Sequence, residues 1–188
     1  QMNKKNLTNF FFELGQLKRI KHEGWRIIGV EAPESVAEHS LRAAQIGYLL
    51  AEMEGYKKPE EVVTMIAFHD IGECRIGDLH KVASRYVEAD EEKAVKEQTK
   101  PLKKTGEKIL DMWKKVEKQS TKAGQIAKDA DYLEQAVTAR EYMEIGHKKA
   151  SDWIKNISKR LKTKSAKQLL TEIKKTNPNT WWQGLKKV

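Results

Sequence analysis

The 188-residue sequence has a single cysteine, four prolines and no long hydrophobic run. The single cysteine, Cys74, excludes an internal disulfide bond and is typical of a reducing compartment, so we expect a cytoplasmic location. No stretch approaches the ~18 consecutive apolar residues that a membrane-spanning helix needs, so we expect no membrane partner. Strand-like alternation is also missing, whereas apolar residues recur at helical spacing throughout the chain. We therefore predict an all-α protein.

The chain also lacks internal repeats and low-complexity linkers, which favours one domain. A chain of this length can bury a core of its own. We predict a single compact helical domain over residues 1–188, with about seven to eight helices; its motifs lie in 7–148, and C-terminal helices with a docked tail occupy 149–188. The tail carries Trp181 and Trp182, which we expect to pack on the domain or on a second subunit, because exposed tryptophans are costly.

Helical periodicity and capping signals predict where the helices lie. The predicted ranges are 7–20, 36–54, 58–70, 84–100, 105–118, 121–149, 152–161 and 165–175. The second range has the clearest start, because Ser35 and Glu38 have the spacing of a capping box. The third is apolar on nearly every face between Val62 and Phe68, which indicates a buried helix.

Basic residues are in excess but form no block. The formal net charge is +9, from 36 Lys+Arg against 27 Asp+Glu. The lysines are spread through segments of mixed charge such as Glu91-Glu92-Lys93, so we interpret them as a solvated surface and expect no nucleic-acid partner. A small anionic substrate needs only a few of these charges.

A histidine and an aspartate, His69 and Asp70, stand side by side at the end of the third predicted helix. Two ionisable groups at the end of a buried helix cost several kcal/mol unless they are paired or bound to a metal. His39 lies on the apolar stripe of the second helix with Ala43 and Ile46, so it also faces the core, where a satisfied core histidine is the alternative. Imidazole and carboxylate groups are ligands of borderline divalent metals. The three residues are therefore candidate metal ligands.

A fourth ligand is expected on the long helix, where Asp129 and Asp131 flank the core stripe that contains Ile126 and Ala130. Periodicity does not choose between the two aspartates. Asp131 shares its line of the helix with small or polar residues such as Glu134, so that line has room to approach a buried polar site. The alternative for both aspartates is a half-exposed helix charge.

In chain order, His39, His69-Asp70 and Asp131 resemble the H…HD…D signature of the HD-domain metal-dependent phosphohydrolases. The similarity extends to neighbouring segments. These are Leu17-Lys18-Arg19-Ile20 with Gly24-Trp25, Pro33 to Ser40, His69 to Glu73 with Gly77-Asp78, and Lys128 to Asp131. Together they resemble the 5'-deoxynucleotidase branch, which includes the eukaryotic HD domain-containing protein 2 group, over roughly residues 7–148.

The resemblance implies one divalent metal ion held by His39, His69, Asp70 and Asp131, with Asp131 chosen over Asp129 by its place in the motif. It also implies a water on that metal and a (deoxy)nucleoside 5'-monophosphate as substrate. Ligand type alone does not select among Co, Mn, Fe, Zn and Mg. A homodimer is in keeping with the resemblance.

The resemblance assigns further roles near this metal. Glu73 would orient or deprotonate the attacking water, and Asp78 would contact the sugar and the leaving 5' oxygen. The alternative for Glu73 is an exposed neighbour of the site, and the alternative for Asp78 is a turn residue. Trp25 would wall the nucleotide pocket or, alternatively, belong to the core.

One departure from the branch concerns the substrate phosphate. The branch usually carries a phosphate-binding arginine two or three residues before the tryptophan, where this chain has Lys21-His22-Glu23. Arg19, His22 or Arg26 is the expected substitute. His80 and His147 have no partners at ligand spacing, and we predict that both lie on the surface.

Two other functions are compatible with the sequence. A different HD phosphohydrolase would act on a nucleoside triphosphate or guanosine tetraphosphate and release pyrophosphate or tripolyphosphate. A non-enzymatic nucleic-acid-binding module would use the positive charge, bind oligonucleotides in a salt-sensitive way and tolerate the loss of His69. The motif favours monophosphate hydrolysis.

Overall fold

The computed structural model describes residues 3–187, and nine α-helices joined by short 3-10 segments make up their regular structure. The helices are α1 (Lys4–Leu14), α2 (Val36–Met53), α3 (Pro59–Ala67), α4 (Glu73–Ile76), α5 (Glu91–Thr99), α6 (Lys104–Glu117), α7 (Lys122–Glu144), α8 (Ser151–Ser158) and α9 (Lys164–Lys175). The described residues contain no strand, only an isolated bridge between Lys21 and Ser35. The all-α prediction is confirmed, and eight of the nine helices have at least eight residues.

Helix α7 is the centre of the bundle, because α2, α3, α6, α8 and α9 all contact it. Its sequence suits this position, since alanines lie on several of its faces and let neighbouring backbones approach. The buried alanines of α7 are Ala123, Ala127, Ala130, Ala136 and Ala139. A helix that is buried on several sides shows little amphipathic periodicity, as α7 does.

The capping box of α2 is confirmed. The Ser35 hydroxyl accepts a hydrogen bond from the Glu38 amide, and the Glu38 carboxylate accepts one from the Ser35 amide at 2.6 Å. These two bonds satisfy amides that the first turn would otherwise leave unpaired. They also fix the start of α2, so that His39 lies in its first turn and points inward, 1% exposed.

Several predicted helix boundaries were wrong. Helix α1 covers Lys4–Leu14 and not 7–20, because the chain tightens into a 3-10 segment after it, and α7 ends at Glu144 and not at residue 149. Helix α3 ends at Ala67 and not at residue 70, because the chain tightens there and the His69 amide donates to the Ile66 carbonyl at 3.2 Å. The segment predicted as a helix from residue 84 begins its helix only at Glu91, because the Asp90 side chain accepts from the Lys93 amide at 2.9 Å and caps α5 there. Residues 77–90 form a loop that contains only one short 3-10 segment, Ala83–Arg85.

Two apolar clusters meet near the start of α2. The larger one lies among α2, α3, α7, α8 and α9, and the smaller one lies beneath α1, against α5 and α6. Val36 belongs to the smaller cluster and Ala43 to the larger, and His39 lies between them on α2. His39 therefore lies at the boundary between the two clusters.

The C-terminal segment packs less closely than predicted. Trp181 is 75% exposed, so it does not dock on this domain, whereas Trp182 is half-buried and its indole donates to the Asn179 side chain at 3.1 Å. A single domain over residues 1–188 stays a prediction, and its ends, residues 1, 2 and 188, lie outside the described residues. None of the described helices is long and apolar enough to cross a membrane.

Replacing Gly106 with alanine is expected to destabilise the fold. An added Cβ would lie 1.9 Å from the backbone oxygen of Thr99, and backbone atoms cannot shift cheaply. Overpacking of this kind costs about 1–3 kcal/mol, so the melting temperature should fall by several degrees. Gly15→Ala is the control, because its Cβ would meet no atom within 4 Å and its φ of -59° suits alanine. Equal melting temperatures for the two variants would contradict this packing.

Candidate active site

Four of the predicted site residues converge in the structure from three separate segments. His39 comes from α2, His69 and Asp70 from the turn after α3, and Asp131 from α7. The Nε2 atom of His39 lies 3.2 Å from Asp131 Oδ1 and 3.8 Å from Asp70 Oδ2. The Nε2 atom of His69 lies 3.0 Å from Asp70 Oδ2 and 3.8 Å from Asp131 Oδ1. Two imidazole nitrogens and two carboxylates thus face one small volume.

The two histidines are oriented through their Nδ1 atoms. His69 Nδ1 donates to the Ile66 carbonyl at 2.6 Å, and since a carbonyl only accepts, the proton is on Nδ1. His39 Nδ1 is hydrogen-bonded to the buried Glu134 carboxylate, which also accepts from Arg42 Nε at 2.8 Å. Carboxylates and carbonyls hold metal-binding histidines in this way, leaving Nε2 for the metal.

The electrostatics of the group suit a cation. Burial alone would lower the pKa of His69, but the neighbouring Asp70 and Asp131 carboxylates raise that pKa to about 10. Burial likewise acts to raise the pKa of Asp131, yet Lys128 and both histidines hold it well below its usual range. His69 Nε2 is buried and forms no hydrogen bond within residues 3–187, because its 3.0 Å contact with Asp70 Oδ2 does not have hydrogen-bond geometry. His39, His69 and Asp131 each offer one ligand atom within 4.8 Å of the others, so these residues could hold a metal ion.

Helical periodicity did not indicate whether Asp129 or Asp131 faces the histidines, and the structure does. Asp131 faces the histidines, whereas Asp129 points to the far side of α7 and is fully buried there. The Asp129 carboxylate accepts from the Lys162 and Thr163 amides and from the Thr163 hydroxyl at 2.7–3.1 Å. Asp129 therefore anchors the start of α9 and takes no part in the site.

Glu73 and Asp78 reach the same cavity. Glu73 begins α4, and its Oε2 is buried without a hydrogen-bond partner in the described part of the chain. Burial, with the charges of Asp70 and Asp78, raises the pKa of Glu73 to about 10. Asp78 is more than a turn residue, because its Oδ2 accepts from the Glu23 amide at 2.7 Å. Burial raises the pKa of Asp78 as well.

Trp25 belongs to both the core and the cavity wall. It is 2% exposed and lines the cavity, which has a volume of about 1110 Å³. Its ring stacks on Trp153 of α8, with centroids 4.6 Å apart, and meets the Tyr142 ring edge-on. Trp25 is therefore a core residue that also lines the cavity, so the two interpretations of Trp25 are compatible.

Of the three basic residues expected to bind phosphate, only His22 lines the cavity. Arg19 is exposed and lies outside the cavity lining. Arg26 also lies outside it, because its guanidinium is paired with Glu23 at 2.7 Å and donates to the Glu31 carbonyl at 3.1 Å. The short 3-10 segment from Glu23 to Ile28 turns Arg26 away from the site.

Several cavity residues were missed from the sequence. Lys128 lies one turn before Asp131, with Nζ 3.3 Å from Asp131 Oδ2 and 2.9 Å from Glu117 Oε1. That spacing was a usable signal, because residues i and i+3 share a helix face. Trp153 and Arg160 of the α8 region also line the cavity, and no local sequence pattern predicts that they do. His80, predicted on the surface, is half-buried in the lining, where its Nδ1 accepts from the Ala83 amide at 3.1 Å.

The chain is similar to known proteins of the HD-domain family. A family model described as HD domain matches residues 14–174. The chain is 34% identical over 152 residues to the 5'-deoxynucleotidase HDDC2 of Dictyostelium discoideum, covering 76% of this chain and 80% of that protein. It is 30% identical over 148 residues to the human protein of the same name, covering 77% and 72%.

A solved structure shares the fold. A conserved hypothetical protein from Pyrococcus furiosus superposes on the chain with a TM-score of 0.74 at 30% sequence identity. The superposition covers 90% of this chain and 99% of that one. The arrangement of helices around α7 therefore recurs over nearly the whole length of both proteins.

Proposed function

The chain belongs to the HD-domain family, and from this membership we propose that it is a metal-dependent phosphohydrolase that converts (deoxy)nucleoside 5'-monophosphates to nucleoside and phosphate. The relatives named 5'-deoxynucleotidase support the substrate class. The observation that carries the proposal is the convergence of two histidine Nε2 atoms and two carboxylates at 3.0–3.8 Å.

The residues present fit a metal ion. His69 Nε2 is a buried polar atom without a hydrogen-bond partner among the described residues, and such an atom is costly unless a ligand satisfies it. We infer that His39, His69, Asp70 and Asp131 hold one divalent ion. The chemistry that such an ion supplies when bound is polarisation of the phosphoryl oxygens and a lowered pKa of water.

Two carboxyl groups beside the metal ligands would handle protons. Glu73 lies three residues after Asp70, and its buried Oε2 has no hydrogen-bond partner among the described residues, so its carboxylate is placed to take a proton from the attacking water. Asp78 has one oxygen engaged by the Glu23 amide, which leaves the other for the sugar side of the substrate. Its raised pKa favours the protonated form, which can donate to the leaving 5' oxygen.

Lys128 is the cation best placed for the substrate phosphate. Lys128 lines the cavity, its Nζ lies 3.3 Å from Asp131 Oδ2, and its side chain is only 16% exposed. Burial would lower the pKa of Lys128, but the charges of Asp131, Glu117 and Asp70 raise it, so the side chain stays charged. A charged group held beside the candidate metal ligands can contact phosphoryl oxygens as a point charge. We therefore assign the binding of the substrate phosphate to Lys128 instead of Arg19 or Arg26.

A phosphate-release screen tests the function. The full chain, loaded in turn with Co, Mn, Fe, Zn and Mg, is offered deoxynucleoside and ribonucleoside 5'-monophosphates, and orthophosphate is measured. We expect metal-dependent release from the monophosphates and none after Asp70→Ala. Pyrophosphate or tripolyphosphate from nucleoside triphosphates or guanosine tetraphosphate, with no orthophosphate from monophosphates, would overturn the proposal in favour of a different HD phosphohydrolase.

Replacing Lys128 with methionine, which keeps the aliphatic stem, is expected to weaken phosphate binding. Hydrogen bonds to charged groups contribute about 1.5–3 kcal/mol, so KM and the inhibition constant of inorganic phosphate should rise about tenfold to a hundredfold. Metal affinity should not fall, because a positive charge beside the ligands is removed. Lys122→Met is the control, since Lys122 is on the same helix but forms a surface pair with Glu54. Unchanged phosphate inhibition in Lys128→Met would contradict the assignment.

A further inference from the structure

His22 lies closer to His39 than His39 lies to His69. The ring centroids of His22 and His39 are 4.5 Å apart, and those of His39 and His69 are 5.6 Å apart. The side chain of His22 is only 12% exposed, and it lines the cavity. A third imidazole therefore stands at the edge of the candidate metal site.

The hydrogen bond made by His22 repeats the pattern of the other two histidines. Its Nδ1 lies 3.2 Å from Glu34 Oε1, as His39 Nδ1 is bonded to Glu134 and His69 Nδ1 to a backbone carbonyl. Oxygen acceptors of this kind orient metal-binding histidines and fix their tautomer. With Nδ1 engaged by Glu34, Nε2 is the nitrogen of His22 that is available to an ion.

The distances also place His22 with two of the candidate ligands. One ring nitrogen of His22, one of His39 and one carboxylate oxygen of Asp70 all lie within 4.8 Å of one another. His39 and Asp70 are shared with the group described above. This overlap favours one ion with an additional ligand over two separate ions.

Backbone hydrogen bonds hold His22 beside the start of α2. The His22 amide donates to the Glu34 carbonyl at 3.0 Å, and the Val36 amide donates to the Ile20 carbonyl at 2.9 Å. These two bonds join residues 20–22 to residues 34–36, where the helix that carries His39 begins. A ligand placed on such a support keeps its distance from the rest of the site.

We propose that His22 is a third histidine ligand of the metal ion held by His39, His69, Asp70 and Asp131. The inference rests on the proposed function only in assuming that this group binds a divalent ion. Imidazole suits zinc, iron and nickel, whereas carboxylates and water suit magnesium and manganese. A third imidazole therefore shifts the preference of the site toward zinc-like ions and leaves fewer positions open to other ligands.

Nitrogen NMR on the full chain tests the ligation directly. The chain has five histidines, and metal-free protein is compared with protein loaded with Zn²⁺ alone. We expect the Nε2 resonances of His22, His39 and His69 to shift strongly, while those of His80 and His147 stay in place. Strong shifts confined to His39 and His69 would overturn the proposal.

Titration calorimetry tests the effect on affinity. His22→Ala and His22→Gln are each titrated with Zn²⁺ and Mn²⁺, and thermal melts of the metal-free proteins check folding. Zn²⁺ affinity should fall about tenfold to a hundredfold in both variants, the range seen when a metal site loses a supporting group, and Mn²⁺ affinity should fall less. His80→Ala is the matched control from the same cavity and should bind Zn²⁺ like the parent chain.

The outcomes separate this inference from the function itself. If both His22 variants bind Zn²⁺ like the parent chain and only their KM for nucleotide rises, His22 contacts substrate and the inference is wrong. The metal-dependent hydrolase would stand in that case. If the parent chain binds no divalent ion, the proposed function fails, and with it the assumption on which the inference rests.

Discussion

Replacing Asp131 with asparagine is expected to remove most of the metal affinity and about a thousandfold or more of the hydrolytic rate. The change keeps the shape of the side chain but removes the negative charge that faces His39 and His69 at 3.2 and 3.8 Å. Metal catalysis contributes several kcal/mol, and each ~1.4 kcal/mol is a factor of ten in rate. Calorimetry with Zn²⁺ and phosphate-release kinetics measure the two effects.

Asp129→Asn is the matched control, because Asp129 lies two residues earlier on the same helix. Its carboxylate accepts hydrogen bonds from Lys162 and Thr163, and an amide would meet one of these donors with its own N–H group. The expected loss is about 1–3 kcal/mol of stability, seen as a lower melting temperature, with metal affinity retained. If Asp129→Asn lost the metal and Asp131→Asn kept it, the choice between the two aspartates would be wrong.

Replacing Glu73 with glutamine is expected to slow hydrolysis by about a hundredfold to ten-thousandfold, the range for loss of a general base. The Glu73 side chain makes none of the contacts that hold the two candidate histidine ligands, so Zn²⁺ affinity should change far less than the rate. Single-turnover phosphate release, compared with calorimetry on the same preparation, separates the two quantities. Equal losses of rate and of metal affinity would mean that Glu73 is a ligand and not a base.

The same substitution should stabilise the metal-free protein. Burial and the Asp70 and Asp78 charges raise the pKa of Glu73 from 4.5 to about 10 on folding, so folding requires this group to take up a proton, at a cost that grows as the pH rises between those values. The melting temperature of Glu73→Gln should exceed that of the parent chain at about pH 8. The difference should shrink toward about pH 5, where the carboxyl group is closer to being protonated in both states. Thermal melts in a chelator at the two pH values measure it.

The parts of the site that the sequence predicts are those governed by local rules. Ser35 and Glu38 mark the start of α2 through capping chemistry, and helical spacing then turns His39 inward. The His69-Asp70 pair stands out because a buried apolar helix ends in two ionisable groups. Choosing Asp131 over Asp129 needed the family motif, since both aspartates flank the core stripe and both are buried in the structure.

The parts that the sequence does not predict depend on contacts between distant segments. Glu134 meets His39 across 95 residues, and Asp129 meets Thr163 across 34. Arg19 follows one 3-10 segment and Arg26 lies in another, and helical periodicity specifies the direction of neither segment. The loop before α5 was predicted as helix because its charged pattern is helical, and the capping role of Asp90 was overlooked.

The stacking of Trp153 on Trp25 joins the last third of the chain to the candidate site. The candidate metal ligands come from α2, the turn after α3, and α7, whereas one wall of the space above them comes from α8 and the residues that follow it. Under the proposed function, part of the substrate fit therefore comes from a stretch of the polypeptide that carries no candidate metal ligand. Substitutions confined to α8 would therefore change which nucleotide fits the cavity and leave all four candidate metal ligands in place.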